Sequence, residues 1–171
     1  MIIGLILKIR MVMLSWSVVV KNDYERNKQM IREAVPEDAL YIENLYRMLL
    51  PEQTAIQVSP ERLKRIADNT DSFLYVYEEE GTIVGMLHLH LCMDALCDDR
   101  PFAVIERVII SQEVRGKGYG AKLMRYAEDA ATSRGALKIM LSSAVSREDA
   151  HQFYEHLGYN SSSSKLFKKY L

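Results

Sequence analysis

The chain has 171 residues, with 22 basic and 23 acidic side chains and a net charge of -1. That length suits one ordinary domain with a core and a cleft, and the balanced charge gives no global attraction to nucleic acid or to an anionic membrane. Cys92 and Cys97 have no second pair and no histidine cluster at zinc-like spacing, which argues against a disulfide framework and a structural metal; they read as reduced thiols in a cytoplasmic protein.

Met1 to Val20 is apolar but is interrupted by Lys8 and Arg10, leaving runs shorter than the roughly 20 residues of a membrane span. A secretory signal would place its charges first and end in a small-residue cleavage site, and neither feature is present. Residues 1–29 therefore form an apolar extension. It is either a peripheral element, a partner-binding arm suited to homodimer contact, or sequence upstream of a true start at Met30. Residues 30–171 form a single domain in this reading.

Ile31 to Val35 is expected as a strand. Pro36-Glu37-Asp38 then opens a helix, with proline and acids where a helix start favours them, and Ile42, Leu45, Tyr46 and Leu49 follow at helical spacing until Pro51. Ser59-Pro60 starts a second helix to about Asp68. Ser72 to Glu79 and Thr82 to Met93 are β-rich runs joined by a turn at Glu80-Gly81, and Gly85 marks a bend or bulge in the second. Ala103 to Ile110 is a further strand. A helix then carries Leu123, Met124, Ala127, Ala130 and Ala131 on one stripe and stops at Arg134-Gly135. Leu137 to Leu141 is a buried-type strand, Arg147 to His156 a helix, and Lys165 to Tyr170 a final edge strand. This order predicts a mixed α/β domain with one layered sheet.

Gly116, Gly118 and Gly120 stand after a strand and at a helix start, where backbone N–H groups lack intrahelical partners and can hold phosphate. Arg115, Lys117 and Lys122 crowd the positive end of that helix, an arrangement that an anion relieves. The glycines match neither a Walker loop nor a Rossmann fingerprint, so neither ATP nor NAD is favoured.

Arg115, Gly118 and Gly120 match the Q/R-x-x-G-x-G/A signature of the GCN5-related N-acetyltransferases, and Ala150 to Tyr159 is similar to that family's A-x-x-F-Y-x-x-x-G-F ending. The chain resembles this family over about Met30 to Leu171, with Arg147 where members often carry Asn. The resemblance implies a largely antiparallel sheet of roughly six to seven strands, helices on both faces and splayed central strands. It implies acetyl-CoA as co-substrate, no metal, and transfer to the primary amine of a small molecule by direct attack. Backbone at Val108, Ile109 and Ile110 would hold the pantetheine arm, an N–H near Val108 would face the thioester oxygen, and Arg115, Gly116, Lys117, Gly118, Tyr119, Gly120 and Ala121 would hold the pyrophosphate. Glu106, a lone acid in an apolar strand, would be the general base if desolvated in the cleft, or else part of a Glu106-Arg107 surface or structural ion pair; Tyr154 would protonate the departing thiolate, or else pack with Phe153 in the core.

His88 and His90, on one strand face, are either acceptor-lining groups or ordinary half-buried sheet residues. The acid-bearing turn Asp94 to Arg100 stands beside the expected acceptor pocket. The alternatives are an acyl-CoA-binding regulatory module without turnover and a peptide or protein N-acetyltransferase.

Overall fold

The computed structural model describes residues 29–95 and 100–170; residues 1–28 of the apolar extension, Cys97 and most of the Asp94 to Arg100 turn lie outside the described residues. The elements are β1 (Gln29–Glu33), a 3-10 turn (Pro36–Asp38), α1 (Ala39–Leu49), α2 (Pro60–Ala67), β2 (Ser72–Glu79), β3 (Thr82–Cys92), β4 (Phe102–Ile110), a 3-10 turn (Gln112–Val114), α3 (Tyr119–Ser133), β5 (Ile139–Leu141) and α4 (Glu148–His156). The strands form one sheet in chain order. Neighbours from β1 to β4 are antiparallel, and β4 with β5 is parallel.

Both faces of the sheet are covered, which explains why β2 reads as a continuous apolar run rather than an alternating one. On one face Ile42 and Leu45 of α1 and Leu63 of α2 pack on Leu74, Val76, Met86 and Ile109. On the other, Leu123, Met124 and Ala127 of α3 pack on Tyr75, Leu87, Leu89 and Ile105. The β2–β3 turn is left-handed at both central residues, Glu80 (φ 52) and Gly81 (φ 79), the conformation that a two-residue hairpin favours. Gly85 sits beside a bulge in β3; a Cβ there would lie 2.3 Å from Ile110 Cδ1, so the glycine also makes room for β4. Among the described residues no helix is long and apolar enough to cross a membrane.

Two expectations are corrected. The sheet has five strands among the described residues, not six to seven. Lys165 to Tyr170 is not a strand: Leu166, Phe167 and Tyr170 are 65%, 89% and 87% exposed. A strand exists only where a neighbour takes up its backbone groups, and the run of apolar and cationic residues there has none in the sheet.

Arg32 fastens the first strand to the start of α1. Its Nη1 donates to Asp38 Oδ2 at 2.7 Å and its Nη2 to Oδ1 at 2.9 Å, while Nε donates to Glu78 Oε2 at 2.9 Å. The Val35 N–H also donates to Asp38 Oδ2 at 2.8 Å, so a buried carboxylate (4% exposed) is fully engaged. Lysine cannot reproduce this fork. Arg32→Lys should lower unfolding stability by about 1–2 kcal/mol in urea; an unchanged midpoint would show that the fork contributes nothing.

Candidate active site

The parallel pairing of β4 with β5 covers only Ala103–Ile139, Val104–Met140 and Ile105–Leu141. Among the described residues, β4 has no partner on that side from Glu106 onward, so the ladder between β4 and the edge strand β5 opens there. The unpaired stretch contains an irregularity of its own. Met86 opposes Ile109 and His88 opposes Glu106, so Arg107 and Val108 together face Leu87 in a β-bulge. Arg107 takes a left-handed conformation, φ 59, which is rare for a residue with a side chain. Val108 thus lies outside the register at the mouth of the split, and Ile110 reaches the far end of the strand beside Gly120.

The glycine turn stands just beyond the end of β4. Gly116 (φ 80) and Gly118 (φ 79) are both left-handed, as only glycine adopts easily. Gly120 is needed for another reason: a Cβ there would lie 3.3 Å from Phe153 Cζ. The amide of Lys122 makes the first helical bond, to Gly118 O at 3.1 Å, leaving the N–H groups of Tyr119, Gly120 and Ala121 without partners in the helix. Such a cradle fits a phosphate. The expected cations are at the turn, each with a protein partner. Arg115 Nε donates to Ile110 O at 3.4 Å, Lys117 Nζ lies 3.5 Å from Glu79 Oε2, and Lys122 Nζ donates to Gln29 Oε1 at 3.2 Å.

The side chain of Tyr119 turns away from this cradle into the core. It stacks on Tyr77 with centroids 4.4 Å apart and donates its hydroxyl to Glu79. That bond pushes the Tyr119 hydroxyl up to about 12 and, with Lys117 nearby, holds Glu79 below the usual carboxylate range. Tyr119 therefore offers the cradle its backbone alone. Glu79 was not legible from sequence, because Glu78-Glu79-Glu80 reads as solvated charge at a turn.

Glu106 and Tyr154 lie on opposite faces. Ile105 packs with α3, so Glu106, one residue on, faces α1; its side chain is 47% exposed, where the sequence suggested a desolvated acid. Beside it His88 Nε2 and His90 Nδ1 share the Ser72 hydroxyl at 2.8 and 3.2 Å. Burial pushes His88 down to about 4, with His90 and Arg107 adding to the effect. Burial also lowers His90, against the charge of Glu106. Tyr46 of α1 completes this face, its hydroxyl raised chiefly by burial.

Tyr154 is 8% exposed in the cluster that includes Val108 and Leu141, edge-to-face with Phe153 at 5.2 Å. Burial raises its hydroxyl, and Arg147 acts in the opposite direction. The residue that departs from the family pattern is thus close enough to influence the expected acid. Past the end of β5, Ser143 Oγ is buried with no hydrogen-bond partner. A hydroxyl so placed lacks the partner that buried polar groups ordinarily have. No sequence signal marks Ser143 beyond its place after a strand. Among the described residues no group of acidic, histidine or cysteine side chains could hold a metal ion.

The end of the β4–β5 ladder at Ile105–Leu141 thus stands beside a helix start whose free N–H groups can hold an anion. Residues 40–159 match the Acetyltransferase (GNAT) family, and the chain belongs to that family of acetyltransferases. It is 33% identical over 88 residues, 52% of this chain and 56% of the relative, to the aminoalkylphosphonate N-acetyltransferase of Salmonella typhimurium. It is 27% identical over 132 residues, 75% of this chain and 88% of the relative, to an uncharacterized N-acetyltransferase of Bacillus subtilis. The crystal structure of glucosamine-6-phosphate N-acetyltransferase from Arabidopsis thaliana shares the fold, with TM-score 0.68 and 24% identity over 83% of this chain and 98% of that one.

His88 generates a prediction about acid stability. It is neutral in the folded protein down to about pH 4, whereas its ordinary value is 6.5, so below 6.5 the unfolded chain binds the extra proton. This contribution is complete above pH 6.5 and is lost progressively as pH falls toward 4, by up to about 3 kcal/mol. His90, Arg107, Glu106 and Tyr46 surround the ring and remain in His88→Gln, which should flatten the stability–pH curve in that window. A variant curve parallel to wild type removes the assignment.

Proposed function

We propose that the protein transfers an acetyl group from acetyl-CoA to the primary amine of a small molecule by direct attack. The observation that carries this is the conjunction of a phosphate-type cradle at the start of α3 with the opening between β4 and β5 beyond Ile105–Leu141. The relative from Salmonella, whose name specifies an aminoalkylphosphonate, supports a small-molecule acceptor.

Acetyl-CoA supplies the activated acetyl group. The backbone N–H groups at Gly118 to Ala121 hold the pyrophosphate, with Arg115, Gly116 and Lys117 around it, and the open edge of Val108, Ile109 and Ile110 holds the arm. The Val108 N–H, at the bulge, donates to the carbonyl oxygen where negative charge develops. An amine of pKa near 10 arrives as ammonium; Glu106, half exposed at the acceptor face, accepts its proton through water. From the other face Tyr154 donates a proton to the departing sulfur. Burial keeps that phenol protonated but makes it a weaker acid, so its assistance is modest.

The test is CoA release from acetyl-CoA across a panel of primary amines. Gly118→Glu, which puts a carboxylate and an L side chain at φ 79, should abolish acetyl-CoA binding. Glu106→Gln should lower kcat by about 100-fold and Tyr154→Phe by about 10-fold. Tight acetyl-CoA binding with no amine acetylated would instead favour a binding module. Ser143→Ala supplies an independent check on the arm. Removing an unpaired buried hydroxyl should leave the unfolding midpoint equal or higher, while the KM for acetyl-CoA rises several-fold. An unchanged KM places the arm elsewhere.

A further inference from the structure

Glu106 and Arg107 are consecutive in β4, and in an unbroken strand they would point to opposite sides of the sheet. The bulge changes this. With Arg107 at φ 59, its Nε lies 3.8 Å from Glu106 Oε2. Both charges also act on the same surroundings: Arg107 and Glu106 both influence Tyr46 of α1, Arg107 influences His88, and Glu106 influences His90. Carboxylate and guanidinium therefore share one face, the one covered by α1, at the mouth of the strand split.

Two features leave both groups available to a ligand. At 42% exposure for Arg107 and 47% for Glu106, the pair is too solvated to contribute much stability, and the left-handed backbone at Arg107 belongs to the bulge. And 3.8 Å is longer than a hydrogen bond, so neither group consumes the other's polar atoms. A carboxylate and a guanidinium fork are presented side by side to whatever approaches from that face.

We infer that the acceptor is a primary amine that also carries an anionic group a few bonds away, a carboxylate or a phosphorus oxyanion, with its ammonium against Glu106 and its anion against the fork of Arg107. This rests on the acetyl-transfer reading above and names its substrate class. Arginine matches the planar geometry of such anions with two parallel N–H donors. A polyamine would instead bring a second cation against Arg107.

The experiment uses the full chain and four acceptors of similar length: 3-aminopropylphosphonate, 4-aminobutanoate, butylamine and 1,3-diaminopropane. The kcat/KM values of one or both anionic amines should exceed those of butylamine and the diamine by about ten-fold or more, the factor expected for a charge-assisted bond. The ratio between the two anionic amines distinguishes carboxylate from phosphorus oxyanion. Arg107→Asn keeps a residue that tolerates left-handed backbone; it should raise the KM for the anionic acceptors and collapse the preference, and Arg107→Lys should restore part of it. Equal use of all four acceptors, or preference for the diamine, overturns the inference. So does a uniform loss across all four in Arg107→Asn with a raised KM for acetyl-CoA, which would mean damage to the bulge alone. Calorimetric titration of each acceptor in the presence of CoA separates this inference from the parent reading. If no acceptor is acetylated but the anionic ones still bind preferentially, acetyl transfer fails and the charge assignment stands; if none binds, the assignment falls too.

Discussion

Everything at the site depends on where β4 stops pairing with β5. Three residue pairs hold the strands together and then the ladder ends, leaving backbone groups that must find partners elsewhere. A protein keeps such an opening only if the flanking structure is rigid. Here it is, because β3 remains paired with β4 on the other side and both faces are filled by apolar side chains. The bulge at Arg107 adds a second break to the same strand, so the residues following Ile105 are freed toward β5 and displaced relative to β3.

The charged groups around this opening are arranged in separate compartments. At the glycine turn, cations gather near a helix start but are held back by protein partners. Glu79, anchored by Tyr119 and Gln29 and close to Lys117, ties the turn to β2. On the α1 face a carboxylate and a guanidinium stand beside two histidines whose basicity burial lowers. The sheet separates these compartments, with Tyr77 and Tyr119 packed on the α3 side and Leu74 and Val76 on the α1 side.

Much of the fold was legible because its signals are local. Proline and acids at Pro36 to Asp38, serine and proline at Ser59-Pro60, and the Glu80-Gly81 turn each encode a conformation within a few residues. The glycine turn was legible for the same reason, since Gly116 and Gly118 are placed where left-handed backbone is needed. The edge strand expected at Lys165 to Tyr170 failed because pairing is a property of two segments, and its composition says nothing about the second. Arg107 was illegible in a different way: arginine gives no hint of a positive φ, which is imposed by the mismatch in length between β3 and β4. The exposure of Glu106 and the isolation of Ser143 Oγ are visible only once the chain around them is folded.

Gly120 carries a mechanical consequence. Its missing side chain lets the Phe153 ring rest against the first turn of α3, and that ring in turn meets Tyr154 edge-on. The first turn of α3 and the Tyr154 phenol are thus linked by one aromatic ring, and a methyl group at position 120, 3.3 Å from that ring, would press on the link from the α3 side.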